Sequence, residues 1–498
     1  MKKFSWALWM LILMTVVVSC RHDNDNDNDT ETPVKVDNSI NDFVWKGMNS
    51  WYYWQKNVPN LSDTAFPSEK NYQSFLQGKE ADALFYSLLY QYETTDRFSW
   101  IVDNVDELLG QFSGISKSSG MDFSLGYKKS GSQDLVGIVN YVIPSSPADK
   151  AGVKRGDVIV QINGATLNVN NYRGLIADSF SVGMAENVSV NSSGVETSGI
   201  SKTATITSVV LEENPVAFYK TFDEGSKKIG YLVYNGFQSN YNDELNAAFG
   251  KMKQDGVTDL ILDLRYNGGG SVETAVALGQ MITGQFTGSP YVFLDFNSKH
   301  EKYNDVYDLS KNVTKYDFVN GQTSEVGQEA VNSLNLNKVY VLTSGSTASA
   351  SELTISGLQA YINVVLIGDE TYGKFVGSIT LFDSPKNDFL SYENRNKSHN
   401  YAMQPITFAY YNANRTPHPV EGIIPDYKVS FFDYLGKMGD FGNTSDTALA
   451  KALQLITGQA RATRSSEQLY PTIPQPFFGS SKTFKKFGTE LYQEHPLR

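Results

Sequence analysis

The chain has 498 residues, with 42 Lys/Arg against 54 Asp/Glu for a net charge of −12 and an apolar content of 41%. That length supports two or three domains with sizeable cores, and the acidic balance argues against a nucleic-acid or anionic-membrane surface. The single cysteine, Cys20, excludes a disulfide framework and any cysteine-based metal site; no residue pattern calls for a metal or a cofactor.

Met1-Lys2-Lys3 forms a positive start, and Trp6 to Val18 is an apolar stretch too short to span a bilayer. With Val17-Val18-Ser19-Cys20 it resembles a bacterial lipobox, which implies a signal peptide over 1–19 and lipidation of Cys20 as the first mature residue. The Asp/Asn-rich run after it cannot bury a core, so 20–37 reads as a polar tether. The expected location is the bacterial cell envelope, at the outer membrane on its periplasmic or surface face, with a lipid anchor as the sole membrane contact. No later segment is apolar for 18 residues.

Residues 38–105 carry aromatics at helical spacing, among them Phe43, Trp45, Trp51, Tyr52, Phe85 and Tyr86, and read as the core of a small helical domain. From 107 to 211 the pattern changes to short strands and turns: Gly137 to Ile143 alternates as a strand, Ser146 to Gly152 starts a short helix, and Val153 to Gly164 is turn, strand and turn. The run Ser-Pro-Ala-Asp-Lys-Ala-Gly-Val-Lys-Arg-Gly-Asp-Val-Ile from Ser146 resembles a PDZ domain. The resemblance puts a carboxylate-binding loop at Ser124-Leu125-Gly126-Tyr127, with Ser124 where the family has glycine, and implies that Leu125, Gly126 and Tyr127 meet a peptide C-terminus beside a strand edge.

Residues 214–462 show βα alternation: strands at Ile229–Val233, Leu260–Leu262, Val339–Leu342 and Val364–Ile367, and helices ending at Gly256 and covering Val272–Met281 and Ser351–Ala360. The fold class is an α/β core with a mixed sheet, an inserted PDZ-like β-rich domain and an N-terminal helical domain. The tail over 463–498 receives no assignment.

Three core motifs follow strands, where sites assemble in open α/β sheets: Asp263-Leu-Arg-Tyr-Asn-Gly-Gly-Gly270, Thr347-Ala-Ser-Ala-Ser-Glu352 and Thr371-Tyr-Gly-Lys-Phe375. A hydroxyl needs a base before it attacks, and a buried lysine amine can serve if its pKa falls from ~10.4 to roughly 7–8. Ser349 and Lys374 supply that pair, although Ser349-x-x-Glu352 also fits a capping box that would occupy the hydroxyl. Asp263 and Arg265 read as a structural brace. Gly368 to Lys374 matches the phosphate-loop spacing, but Phe375 lacks the required hydroxyl and a strand follows where a helix is needed. His22, His300, His399, His418 and His495 have no motif context and default to surface roles.

With the PDZ-like segment and Gly422-Ile-Ile-Pro-Asp426, these motifs resemble the S41 family of C-terminal processing, or tail-specific, proteases. The resemblance implies a serine endopeptidase with Ser349 as nucleophile, Lys374 as base, and an oxyanion hole from the Ala350 amide and that of Gly269 or Gly270. It also implies protein or peptide substrates; the PDZ-like loop adds a preference for apolar C-termini. Ser378 stands where the family often has a glutamine that holds the amine, so its hydroxyl, or that of Thr380, is the candidate orienting group. The competing reading is a catalytically inactive PDZ-type receptor for protein C-termini.

Overall fold

Apolar runs buried on both faces pair side by side to form the centre of the molecule. Strands Lys227–Tyr234, Asp259–Asp263, Lys338–Thr343 and Asn363–Gly368 lie parallel in that order; Val216–Glu224 closes one edge as an antiparallel hairpin and Tyr427–Lys428 the other. The connecting helices are Asn242–Asp255, Val272–Thr283 and Ala350–Gln359. Gly256 ends the first of them at φ +76°, and the Ser271 side chain caps the second by accepting from the Thr274 amide. The computed structural model describes residues 38–417, 419–458 and 476–493, so the expected signal peptide and tether, with Cys20, lie outside the described residues, as do His22, His418 and His495. No described helix is long and apolar enough to cross a membrane.

A second six-stranded sheet runs Gly270–Ser271, Leu491–Tyr492, Val376–Ser378, Ile406–Asn412, Pro290–Phe296 and Asp305–Asp308. The strand expected after Phe375 is two, Val376–Ser378 here and Leu381–Phe382 in a separate three-stranded sheet. That small sheet also holds Ala402–Gln404 and Trp100–Val102, so the N-terminal segment is not helical throughout. Nor does it keep a core of its own. Phe43, Trp51, Tyr52 and Phe85 are buried in one cluster with Leu245, Phe249, Leu278 and Leu353 of the central helices.

The PDZ-like sheet orders Phe477–Ser480, Met121–Tyr127, Leu135–Val142, Val158–Ile162, Ser179–Asn191 and Gly194–Thr207. Its outermost strand comes from the tail that the sequence left unassigned. Arg155, on this domain's Val153–Gly156 turn, reaches the core: it donates to Asp446 Oδ2 at 3.0 Å and to the Tyr266 hydroxyl at 2.9 Å. Asp446 also takes two bonds from Arg265, at 3.0 and 2.9 Å, while its Oδ1 caps helix Thr447–Thr457 through the Ala448 and Leu449 amides. Asp263 completes the brace with bonds from Arg265 Nε and Nη2 at 2.9 and 2.6 Å.

Candidate active site

Ser349 is the residue between the loop after strand Lys338–Thr343 and helix Ala350–Gln359. Its backbone has φ +64° and ψ −116°, a conformation that costs a non-glycine residue about 1–3 kcal/mol and persists only where the surroundings impose it. Those surroundings are mainly Glu352. Its carboxylate accepts from the Ser349 amide at 2.8 Å, the Lys374 amide at 2.9 Å, the Gly373 amide at 2.8 Å and the Thr371 hydroxyl. One buried carboxylate therefore fixes both motif loops; the sequence offered it only as a helix cap. The Ser349 hydroxyl lies near the Glu352 amide in the arrangement of a capping box, yet it makes no hydrogen bond of normal geometry and is buried without a partner.

Lys374 is fully buried. Loss of water drives its pKa below the ordinary 10.5, and the nearby carboxylates of Glu490, Asp96 and Glu352 pull the other way without reversing the shift. Its amine sits 5.2 Å from the centre of the Phe98 ring and donates to Glu490 Oε2 at 2.9 Å. No hydrogen bond joins it to Ser349. Ser378 does not hold the amine either: its hydroxyl bonds the Leu491 carbonyl at 3.2 Å and Glu490 Oε2 at 3.4 Å. Behind it stands a glutamine the spacing could not reveal, because it comes from another strand. Gln404 Nε2 donates to Ser378 Oγ at 2.9 Å, and Gln404 Oε1 accepts from Thr380 at 2.7 Å.

The Gly268–Gly270 turn covers Ser349 from the other side. Gly269 and Gly270 have φ +113° and +137°, and a Cβ on Gly269 would meet the Glu490 carbonyl oxygen at 2.4 Å and Ser349 Oγ at 2.9 Å. Glycine is required here by both conformation and space. The Gly269 amide is tied to Asn267 Oδ1 at 2.9 Å, whereas the Gly270 amide donates to the Glu490 carbonyl at 2.6 Å. Of the two, Gly270 is the amide that meets a peptide carbonyl beside Ser349. Ala350 starts the helix, where backbone amides and the positive end of the dipole favour developing negative charge. A cavity of about 150 Å³ continues from the glycines between the core and the PDZ-like sheet. Asn235, which lines it, is buried with both side-chain amide atoms unpartnered.

Leu125, Gly126 and Tyr127 lie at the end of strand Met121–Tyr127 rather than in a loop, and Leu125 is core. The free edge of that strand is taken by Phe477–Ser480, with Phe477 opposite Gly126 and Ser480 opposite Ser124. His300 is not a surface residue: it is buried, stacked on Trp51 at 3.6 Å, and bonded to the Ser50 hydroxyl. Partly buried His399 pairs with Asp383 at 3.1 Å. Both histidines have partners other than Ser349.

Against known proteins, the peptidase family S41 signature matches residues 228–429, the peptidase S41 N-terminal domain residues 39–100, and a PDZ domain residues 138–180. The carboxy-terminal processing protease CtpA of Bacillus subtilis is 27% identical over 236 residues, 47% of this chain and 43% of its own. The carboxyl-terminal-processing protease of a Picosynechococcus is 26% identical over 245 residues, 49% of this chain and 51% of its own. The chain thus spans about half the length of these curated relatives. An S41-family protein of Bacteroides fragilis, known as a crystal structure, aligns with a TM-score of 0.63 and 25% identity over 84% of this chain and 97% of that one. The S41 signature spans Ser349, Glu352 and Lys374 together with the Gly268–Gly270 turn, and the chain belongs to peptidase family S41.

Proposed function

We propose that the chain is a serine endopeptidase of the bacterial envelope in which Ser349 and Lys374 form the catalytic dyad. The observation that carries this reading is that a strained, buried and unpartnered Ser349 hydroxyl and a desolvated lysine amine stand on two loops fixed by one carboxylate. In the reaction, Ser349 Oγ attacks the scissile carbonyl carbon as its proton passes to the neutral Lys374 amine. The tetrahedral oxyanion is stabilised by the Ala350 and Gly270 amides. Lys374 then returns the proton to the departing amine and the C–N bond breaks; water, giving its proton to Lys374, attacks the acyl-Ser349 ester, the C–Oγ bond breaks to release the new C-terminal carboxyl, and Lys374 returns the proton to Ser349 Oγ. Labelling with a fluorophosphonate, followed by mapping of the adduct to Ser349, tests the enzyme against the inactive PDZ-type receptor.

Substrates are protein or peptide chains that present apolar C-termini to the PDZ-like segment, where the edge at Leu125, Gly126 and Tyr127 pairs with an added strand. A protein ending in Ala-Ala is expected to be cut faster than the same protein ending in Asp-Asp, as measured by initial rates. Equal rates would remove the PDZ-like edge from substrate selection.

Lipidation at Cys20 anchors the chain, and the 20–37 tether holds the catalytic body off the bilayer. One acyl chain binds only marginally, so stable attachment requires several. Cys20→Ala is expected to move the protein into the soluble fraction on cell fractionation; retention in the membrane fraction would contradict the anchor.

A further inference from the structure

The tail occupies both places where a substrate would bind. At the PDZ-like sheet, Phe477–Ser480 adds as an antiparallel strand beside Ser124–Gly126, and the Tyr127 amide donates to the Pro476 carbonyl at 3.0 Å. Ser480 accepts from Ser346 at 2.7 Å, and Ser481 bonds Asp122. Further on, Leu491–Tyr492 is inserted between Gly270–Ser271 and Val376–Ser378, parallel to both. Leu491 is fully buried there, and the Gln493 amide donates to the Ser378 carbonyl at 3.2 Å. At the catalytic position, the Glu490 carbonyl takes the Gly270 amide and crowds Gly269 together with Ser349 Oγ. Its carboxylate is held at one oxygen by Lys374 at 2.9 Å and at the other by Trp100 Nε1 at 2.9 Å. Ser349 and Lys374 are both wholly covered.

We propose that residues 477–493 are a substrate-mimicking latch: the tail fills the peptide path from the PDZ-like edge to the dyad, and Glu490, paired with the Lys374 amine, favours its ammonium form. This inference rests on the Ser349–Lys374 reading above. An ammonium cannot take the serine proton, which accounts for a peptide carbonyl lying beside Ser349 without being cut. Displacing the tail removes the carboxylate and opens the groove in one motion. The seat of Leu491 also defines what an incoming substrate strand must offer, an apolar side chain directly after the residue whose carbonyl meets Gly270.

The test compares the full chain with its Glu490→Gln and Leu491→Asp variants by rate of fluorophosphonate labelling at Ser349, peptide cleavage, and hydrogen exchange at the Gly270 amide. The latch predicts that both variants label and cleave at least about tenfold faster than the native chain, as a one-unit change in the lysine's protonation balance would give. It also predicts faster exchange at Gly270 in Leu491→Asp, and inhibition of the freed enzyme by a synthetic Lys486–Gln493 peptide. Equal labelling and cleavage in all three proteins would leave the peptidase standing and overturn the latch. A labelling-competent native enzyme that slows in Glu490→Gln would make Glu490 a working group of the dyad, and would equally overturn it. If Leu491→Asp does not fold, Glu490→Gln and the added peptide still decide. Absence of Ser349 labelling and of cleavage in every protein would remove the Ser-Lys reading and the latch with it.

Discussion

Lys374→Arg should reduce peptide hydrolysis to the background left by Ser349→Ala, a loss of about 10²–10⁴-fold. A guanidinium stays protonated and cannot act as base, so the retained positive charge is of no help. Lys374→Ala and the Ser349→Ala/Lys374→Ala double variant should fall to nearly the same level, because groups that act as one unit are strongly non-additive. Steady-state rates in the native chain and in the Glu490→Gln background check this. The sign of the pH dependence follows from the environment. Burial lowers the Lys374 pKa from 10.5 while Glu490, Asp96 and Glu352 oppose it, so activity should rise with pH as the neutral amine accumulates, with a midpoint below the ordinary lysine value. In Glu490→Gln that midpoint should move lower still.

Asp446→Ala should destabilise the folded chain by about 3–5 kcal/mol, the cost typical of leaving buried charges without their partner. Arg265 and Arg155 would lose their shared carboxylate, and helix Thr447–Thr457 would lose its cap. Denaturant titration measures the shift. Burial pushes the Asp446 carboxyl upward, but Arg265 and Arg155 outweigh it and hold the pKa below the ordinary 3.8. Its stabilisation is therefore complete above that value and is lost as pH falls through the lower folded value. Asp446→Ala should accordingly be less acid-sensitive than the native chain, relative to its own neutral-pH stability.

The central strands were legible because each is a short apolar run between turn signals, and Lys227–Tyr234 through Asn363–Gly368 contain the segments that periodicity indicated. The Ser349 and Lys374 motifs stood out for a different reason: two motifs with no use for each other apart in the chain make joint sense in the proposed reaction. The hairpin Asn312–Val319 with Gln322–Ala330 was not, since its exposed, mixed-polarity strands lack clean alternation. Gln404 escaped because it reaches Ser378 from another strand, far from it in sequence. Glu352 was seen as a cap, and only folding brings Thr371, Gly373 and Lys374 to its carboxylate. Glu490 gave no signal at all. It lies in a tail of Ser, Pro, Lys and aromatics without a period, and its order comes entirely from the groove that it fills.

Mass-spectrometric mapping of fluorophosphonate adducts across a pH series, in the full chain, in Glu490→Gln and in Glu490→Gln/Lys374→Arg, tests the dyad most directly. The dyad predicts a single adduct on Ser349 that forms faster as pH rises, fastest in Glu490→Gln, and not above background once Lys374 is arginine. An adduct on a different serine, or one on Ser349 that forms equally fast with arginine at 374, would contradict it.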